Sequence, residues 1–307
     1  MTENNLKMTI ALISDFHTTE KGKSKRILST AFTAIKEKRV DAVLSAGDNV
    51  NGCQQTEFDV LKASISNYLD GIPFYTALGN HDYFSNNPDD ISNEKARDDF
   101  FNLMLDQNNS ANRFQNGAYS LYLNGVHIIF LDCVQNSRNF RFDDEQAKWL
   151  ESELEESIND RFRFVVNHLP LAAHNLGCKK KTREFTAGDS KLQRIIDRYN
   201  NIIYISGHTH NRIDSDYPSA EQDEHGNIYL NAGSIGNTQP CLLDTKRLNP
   251  LRDSLSKDSD EYKELNRYFK MASMGLFMDV YENRIEIKGY DFSQKEYIQR
   301  CDFVFVI

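Results

Sequence analysis

The sequence predicts an α/β fold with two β-sheets, and two patterns carry that prediction. In the first part of the chain, short apolar runs alternate with amphipathic stretches, which is typical of βαβ crossovers and a largely parallel sheet. The alternating segments are MTIALIS (8–14), SKRILSTAFTAIKEK (24–38), DAVLSAG (41–47), TEFDVLKASISNYL (56–69) and PFYTAL (73–78). Further along, AYSLYL (118–123) and VHIIFL (126–131) flank Asn124-Gly125, a strong type I′ hairpin signal that adds antiparallel strands.

The second half of the chain continues with one clear helix and several strands. Ala147, Leu150 and Leu154 recur at helical spacing behind an acidic first turn and predict a helix over 143–157. Apolar runs that predict strands lie at 161–167, 201–206, 228–233, 276–281 and 284–290. This mixture of helices and strands again favours an α/β fold.

One densely charged segment, residues 244–270, departs from this rhythm and contains a predicted helix from about Ser259 to Lys270. We expect a single domain over residues 1–307, with a charged insertion at about 242–273. The insertion is either a solvated surface element or a lid or subunit contact, and a homo-oligomer is compatible with the sequence.

Composition narrows the class of protein. The 307 residues are 39% hydrophobic and 26% charged, as in ordinary globular proteins. The formal charge of −9 disfavours a nucleic-acid partner. The five cysteines are widely spaced without a CxxC pair, which argues against a disulfide framework and a thiolate zinc site and favours a reducing, cytoplasmic setting. The first apolar run is too short for a membrane span or secretory signal, so we expect no membrane association.

Polar side chains follow five of the predicted strands at the point where each strand ends. They are Asp15 and His17, Asp48, Asn80, His168, and His208 and His210. In open α/β sheets, ligands bind beyond the carboxyl ends of the strands. We therefore expect these carboxylate, amide and imidazole groups to meet at one place.

The number and type of these groups indicate a site for two metal ions. Residues two apart on an extended chain point the same way, so the D-x-H and H-x-H pairs can each grip one ion. Seven candidate donors are too many for one four-coordinate ion and suit two ions about 3.5–4 Å apart that share a carboxylate. Because all donors are nitrogen or oxygen, the set favours Mn, Fe or Zn.

Taken singly, each of the seven candidate donors would be interpreted as a helix cap, a turn former or a satisfied core residue. Only their convergence makes that interpretation improbable.

The remaining histidines have simpler interpretations. His127 lies inside a predicted strand and His225 in a polar loop, and both are interpreted as structural. His174 follows the His168 strand closely and is a weak candidate for approaching the site.

The motifs D-x-H, GDN, GNHD, H-x-P and GHTH, in this order from Asp15 to about Asn237, resemble the calcineurin-like metallophosphoesterases. The resemblance implies a four-layer α/β/β/α sandwich with two mixed central sheets. It implies that one metal is held by Asp15, His17, Asp48 and His210, and the other by Asp48, Asn80, His168 and His208. Asp48 is then the bridging ligand and His81 the proton donor.

Departures from the family pattern disfavour two of its subfamilies, the phosphoprotein phosphatases and the purple acid phosphatases. The stretch GDNVNG (47–52) lacks the phosphate-gripping arginine of phosphoprotein phosphatases. Asn51 stands where purple acid phosphatases carry a metal-binding tyrosine. FDDEQAKWLESEL (142–154) and HLP (168–170) are similar to bacterial cyclic-nucleotide phosphodiesterase-like members, which is a loose match that identifies no substrate.

The expected reaction is hydrolysis of phosphate monoesters or diesters by a hydroxide that bridges the two metals. His81 directly follows the ligand Asn80, so it is placed to protonate the leaving group, while Asp82 orients and Gly79 permits a tight turn. A non-catalytic metal-binding scaffold or sensor, which would not need His81, and a nuclease of the same fold remain as alternatives.

A run of basic residues is a candidate for substrate binding. It consists of Lys179, Lys180, Lys181 and Arg183. Such a run is either a solvated face or a device that recruits an anionic substrate to a net-negative protein. The expected partner is a small phosphorylated molecule, with nucleotides among the candidates.

Overall fold

Two mixed β-sheets form the centre of the computed structural model, which describes residues 5–83, 97–98, 111–114, 117–133, 141–174, 189–216, 219–236, 238–270 and 272–306. The strands of the first sheet are β1 (Leu6–Ile13), β2 (Ala42–Ser45), β3 (Phe74–Thr76), β11 (Met274–Tyr281), β12 (Arg284–Asp291) and β13 (Glu296–Val306). Their order across the sheet is β13-β12-β11-β1-β2-β3. β1, β2 and β3 run parallel, whereas β11 pairs antiparallel with β1.

The second sheet contains the hairpin and most of the later strands. These are β4 (Asn112–Arg113), β5 (Tyr119–Leu123), β6 (Val126–Phe130), β7 (Arg163–Val166), β8 (Ile202–Ser206), β9 (Ala220–Gln222) and β10 (Ile228–Asn231). Their order is β4-β5-β6-β7-β8-β10-β9, with β6, β7, β8 and β10 parallel. The predicted turn between β5 and β6 has positive φ at both Asn124 (49°) and Gly125 (75°), as a type I′ turn requires.

The described residues include six α-helices. They are α1 (Gly22–Glu37), α2 (Gln55–Tyr68), α3 (Asp144–Glu156), α4 (Asp189–Ile196), α5 (Leu242–Ser254) and α6 (Asp260–Tyr268). α1 buries Leu28, Phe32 and Ile35, which recur at helical spacing on one side. The side chain of Asp143 caps α3 by accepting a hydrogen bond from the Gln146 amide.

The two faces of β1 show how the layers stack. Ile10 and Leu12 belong to the apolar core that also contains Phe164 of the other sheet. The alternate residues Ala11 and Ile13 belong to the core that contains the buried residues of the helices. Because strand side chains alternate between faces, one strand contributes to both cores. The structure thus confirms the α/β class and is consistent with the four-layer α/β/β/α arrangement.

Among the described helices and strands, α4, α5, β4, β9 and β13 were not predicted from the sequence. α5 occupies part of the charged segment and contains Pro250, a residue that normally ends a helix. β13 was missed because its pairing with β12 is irregular: Gly289 pairs with Ile298 while Lys288 pairs with Asp302, so the intervening residues bulge and polar residues interrupt the apolar alternation. The predicted helix at Ser259–Lys270 is present as α6.

Four cysteines, namely Cys53, Cys133, Cys241 and Cys301, are buried and form no disulfide among the described residues, and Cys178 lies outside those residues. Among the described helices, none has both the length and the apolar character that a membrane crossing demands.

His127 ties the second sheet to α3. Its ring nitrogens lie 3.0 Å from Glu153 Oε2 and 2.9 Å from Ser157 Oγ, and all three residues are buried. Glu153 also accepts a hydrogen bond from Asn112 Nδ2 at 2.9 Å. Burial acts to raise the pKa of Glu153, but the hydrogen bonds from its partners outweigh it and hold that pKa below its usual range. These contacts support the structural interpretation of His127.

We expect Glu153→Ala to lower the free energy of unfolding by about 1–3 kcal/mol at neutral pH, because it leaves buried partners without their acceptor. Since folding lowers the pKa of Glu153, its contribution is present above the unfolded-state value and is lost as pH falls through the folded-state value. The difference between the two proteins should therefore shrink in acid. Urea unfolding at several pH values measures it.

Glu151→Ala provides the matched control on the same helix. Glu151 pairs with the exposed Arg198 at the surface, where an ion pair contributes about 0–1 kcal/mol. Equal effects of the two substitutions at neutral pH would contradict the structural role assigned to Glu153.

Candidate metal centre

The site lies where the carboxyl ends of strands from both sheets meet. β1, β2 and β3 of the first sheet and β7 and β8 of the second lead into it. The His168 Nδ1–H donates to the Ala46 carbonyl at 2.8 Å, and the His208 amide donates to Asp15 Oδ2 at 2.9 Å. Each of these hydrogen bonds joins a strand end of one sheet to a strand end of the other.

The backbone at this edge is left-handed at five of the predicted ligands. The φ angles are 53° at Asp15, 46° at His17, 52° at Asp48, 66° at His208 and 55° at His210. The expectation that the D-x-H and H-x-H pairs converge because the chain is extended was therefore wrong. The pairs converge through left-handed turns, a conformation that costs non-glycine residues about 1–3 kcal/mol each and is found where the surroundings impose it.

Asp15, His17, Asp48 and His210 form one group of donors, whose nearest side-chain atoms all lie within 4.8 Å of one another. His210 Nε2 lies 3.0 Å from Asp15 Oδ1 and 3.0 Å from His17 Nε2. His17 Nε2 lies 3.6 Å from Asp48 Oδ2. This spacing lets two imidazoles and two carboxylates face one small volume.

A second group shares Asp48 with the first. It consists of Asp48, His168 and His208, again within 4.8 Å. His168 Nε2 lies 3.4 Å from Asp48 Oδ2 and 3.1 Å from His208 Nδ1. Asp48 is therefore the residue common to both groups.

Two buried oxygen atoms at the site have no hydrogen-bond partner among the described residues. They are Asn80 Oδ1 and Asp15 Oδ1, the latter lying 3.0 Å from His210 Nε2 but without the alignment of a hydrogen bond. Burial of an oxygen acceptor without a partner is costly and is rare in native proteins. A cation would satisfy both atoms, and the nitrogen and oxygen donors suit divalent transition metals. The residues present therefore fit a binuclear metal site.

Electrostatics keep the carboxylates charged. Burial works to raise the pKa of Asp48, but the positive charge of His168 and the hydrogen bond from its ring bring that pKa well below its usual range. Burial likewise opposes ionisation of Asp15, and His210 lowers the pKa of that carboxyl. Both carboxylates are thus anionic at neutral pH and available to a cation.

The imidazoles divide into two kinds. Burial lowers the pKa of His17 to about 4 and that of His208 to about 3, so both rings are neutral at pH 7. Burial also disfavours protonation of His168, but the Asp48 carboxylate outweighs it and raises the pKa to about 9. Asp15 similarly outweighs burial at His210 and raises its pKa. Cation binding would displace the protons that these two rings hold.

Gly79 allows the GNHD loop to lie against Asp48. A Cβ at this position would be 2.2 Å from Asp48 Oδ1, a distance that no side chain tolerates. Its φ is −105°, so the expected tight turn is not the reason for the glycine. The glycine is required by the close approach of two chain segments. Asp48 Oδ1 then accepts a hydrogen bond from the His81 amide at 2.8 Å.

Asp82 fastens that loop to the end of β2. Its carboxylate accepts hydrogen bonds from the backbone amides of Asn49, Val50 and Gly79 and from Asn49 Nδ2, at 2.9–3.0 Å. Burial and the Asp48 charge raise the pKa of Asp82 to about 7, while the backbone hydrogen bonds oppose the rise. The carboxyl is 1% exposed, so it acts on the site through the loops that it joins.

His81 lies at the mouth of the site with a fixed ring. Its Nδ1–H donates to the Asn51 carbonyl at 2.6 Å, and its ring contacts that of His17 edge-on, with centroids 4.5 Å apart. Because Nδ1 is engaged, Nε2 is the nitrogen that can exchange a proton with a bound molecule.

The hydrogen-bonding roles of the Asn49 side chain and of the Asn51 carbonyl were not predicted from the sequence. Asn49 accepts hydrogen bonds from Ser45 and Thr76 while its own groups bind Asp82, so it joins the ends of β2 and β3. Its position beside Asp48 in the GDN motif was the available signal. The Asn51 carbonyl could not be found in this way, because every residue carries one.

The other singled-out residues lie elsewhere. The His174 ring stacks on Tyr229 with centroids 3.5 Å apart and pairs with Glu221 at 2.5 Å, and neither of these partners belongs to the metal site. His225 has a half-exposed side chain in its loop. The basic run Lys179, Lys180, Lys181 and Arg183 lies outside the described residues.

Residues 8–212 match the family model for calcineurin-like phosphoesterases. The chain belongs to this family. The protein is accordingly a metal-dependent hydrolase that acts on phosphoric ester bonds. A comparison with curated protein sequences gives no match.

Solved structures show the same fold. A dimetal phosphatase from Danio rerio is similar with a TM-score of 0.67 and 14% identity, over 98% of this chain and 99% of that chain. The purple acid phosphatase PPD1 from yellow lupin is similar with a TM-score of 0.65 and 12% identity, over 99% of this chain and 54% of that one. At these identities the likeness concerns the fold alone.

We expect Asp48→Asn to remove bound metal at both positions, because this residue alone belongs to both donor groups. Elemental analysis after incubation with Mn²⁺ and gel filtration measures the content. Asp279→Asn is the control, since Asp279 accepts a hydrogen bond from Thr9 at 2.6 Å in β11, outside the site. Full metal content and full activity in Asp48→Asn would refute the bridging role of Asp48.

Proposed function

We propose that this phosphoesterase hydrolyses phosphate monoesters or diesters at a binuclear centre, with His81 as the general acid. The observation that carries the proposal is the shared carboxylate. Asp48 contacts His17 of one donor group and His168 of the other, and it also accepts the His81 amide hydrogen bond. The two proposed metal positions and the proposed acid are thus tied to one side chain.

The ligands are proposed to divide between two ions. Asp15, His17, Asp48 and His210 would hold one, and Asp48, Asn80, His168 and His208 would hold the other. When bound, the two ions would neutralise charge on the phosphoryl group and supply the bridging hydroxide nucleophile at neutral pH. Mn, Fe and Zn all suit the donor set.

His81 would donate a proton to the leaving oxygen. The hydrogen bond from Nδ1 to the Asn51 carbonyl fixes the ring, so that Nε2 carries the proton to be transferred. Asp82 would act as a positioning residue, because its hydrogen bonds to Asn49, Val50 and Gly79 hold the loop that carries His81. A non-catalytic scaffold would need the ligands but would not need this fixed imidazole.

The substrate is proposed to be a small phosphorylated molecule, with nucleotides and cyclic nucleotides first among those to test. The motifs at 142–154 and 168–170 support this choice, as does the net negative charge, which disfavours a long nucleic acid. The four buried cysteines, which form no disulfide among the described residues, support a reducing, cytoplasmic location. A panel of p-nitrophenyl esters, nucleotides, cyclic nucleotides and sugar phosphates would identify the class.

We expect His81→Ala to slow hydrolysis of alkyl phosphates by about 10²–10⁴-fold, because their basic leaving groups need a proton. It should largely spare p-nitrophenyl phosphate, whose leaving group departs as an anion. Metal content should not change, since His81 is not among the proposed ligands. Measuring kcat for both substrates, together with metal content, tests the assignment.

His225→Ala is the control for this substitution, because the His225 side chain is 43% exposed and lies in a loop. It should leave both substrates unaffected. An equal decrease for both substrates in His81→Ala, together with metal loss, would remove His81 from the catalytic residues.

The basic run Lys179, Lys180, Lys181 and Arg183 is proposed to recruit the anionic substrate. Replacing all four with glutamine should raise KM at low salt and have less effect at high salt, because salt screens long-range attraction. Steady-state kinetics at two ionic strengths measures the difference. An unchanged KM at low salt would assign the run to a solvated surface.

A further inference from the structure

Arg212 lies two residues after the metal-site residue His210. Its side chain contacts the C-terminal end of the charged segment, at Tyr268 and Lys270. Its guanidinium forms two hydrogen bonds with Asp214, at 2.7 and 2.5 Å. The same group lies 4.6 Å from the centre of the Tyr268 ring and donates to the Lys270 carbonyl at 3.4 Å. The residue is 8% exposed, so these contacts replace water at a buried cation.

The beginning of the charged segment is joined to the same stretch of chain. The Gln239 amide donates to the His210 carbonyl at 2.8 Å, and the Arg212 amide donates to the Gln239 carbonyl at 2.9 Å. Two residues after Gln239, Cys241 caps α5. The chain that enters the segment is therefore hydrogen-bonded directly to a metal-site residue.

Asp244, at the start of α5, is hydrogen-bonded to the end of α6. Its carboxylate is fully buried and accepts hydrogen bonds from Ser215 at 2.7 Å, from Arg247 at 2.9 Å and from the Tyr268 hydroxyl. Ser215 belongs to the chain that follows Arg212, whereas Tyr268 ends α6. The start of α5, the end of α6 and the stretch after His210 thus share one hydrogen-bonded network.

This network supplies a restraint that the metal-site backbone needs. His208 and His210 have left-handed φ angles of 66° and 55°, and such a backbone persists only where its surroundings impose it. Before His210, the Asp15 carboxylate holds the chain through the His208 amide. After His210, the restraints include the pairing with Gln239 and the contacts of the buried Arg212.

We propose that Arg212 is a positioning residue for His210. The charged segment, residues 244–270, stabilises the metal centre through Asp244 and Tyr268, which connect it to Arg212 and to the chain that follows Arg212. This inference rests on the proposed function, because it takes His210 as a metal ligand. It differs from the interpretation of the segment as a lid, since both ends of the segment are fixed to the strand end that carries His210. Partners of metal ligands commonly change metal affinity about 10–100-fold when they are removed.

Arg212→Gln tests the proposal, with Mn²⁺ binding followed by isothermal titration calorimetry as the direct measurement. We expect affinity at one of two sites, the one that contains His210, to fall about 10–100-fold while the other changes little. Tyr268→Ala, at a partly exposed position, should weaken the same site and remains informative if Arg212→Gln folds poorly. The kcat at subsaturating Mn²⁺ should fall in both variants and recover when Mn²⁺ is raised.

Arg284→Gln is the matched control. Arg284 also pairs with an acidic residue two positions later, with Nε 2.7 Å from Glu286 Oε1, and its guanidinium lies 3.8 Å from the centre of the Tyr281 ring. It begins β12, outside the network described above. Its substitution should leave Mn²⁺ affinity at both sites unchanged.

Three results would overturn the proposal: unchanged affinity in both test variants, equal weakening of the two sites, or the same loss in Arg284→Gln. A wild-type protein that binds no Mn²⁺ would instead overturn the proposed metal centre, and the positioning role of Arg212 with it. The titration of the wild-type protein therefore separates failure of the inference from failure of the function on which it rests.

Discussion

The buried carboxylate of Asp48 is the group on which the rest of the site depends. Oδ2 lies 3.4 Å from His168 Nε2 and 3.6 Å from His17 Nε2, while Oδ1 accepts the His81 amide hydrogen bond. A buried anion costs several kcal/mol unless partners of opposite charge and hydrogen-bond donors surround it. The same surroundings that make its burial tolerable bring together both donor groups and the loop of the proposed acid.

This constraint explains features at the edges of both sheets. The chain after β3 can approach Asp48 only because Gly79 has no Cβ, and Asp82 then holds that chain in place through backbone amides. From the second sheet, His168 reaches across to the Ala46 carbonyl just before the GDN motif. Rigid strands thus supply the positions, and short strained connections supply the directions of the side chains.

The alternating fold, the hairpin turn and the residues at the strand ends could all be predicted from the sequence, because periodicity and motif spacing are local properties. The left-handed backbone at Asp15 and His210 could not, since it is imposed by contacts between distant segments. For the same reason the roles of the Asn51 carbonyl and of Arg212 were not foreseen. Helix α5 escaped prediction because Pro250 lies within it.

The most direct test of a binuclear centre that shares Asp48 is a crystal structure of the Mn²⁺-loaded protein, with anomalous diffraction measured at the manganese absorption edge. A binuclear centre that shares Asp48 should give two anomalous peaks about 3.5–4 Å apart, one beside Asp15 and His210 and the other beside Asn80 and His168, with the Asp48 carboxylate between them. A single peak at full occupancy, or two peaks that do not both contact Asp48, would contradict it.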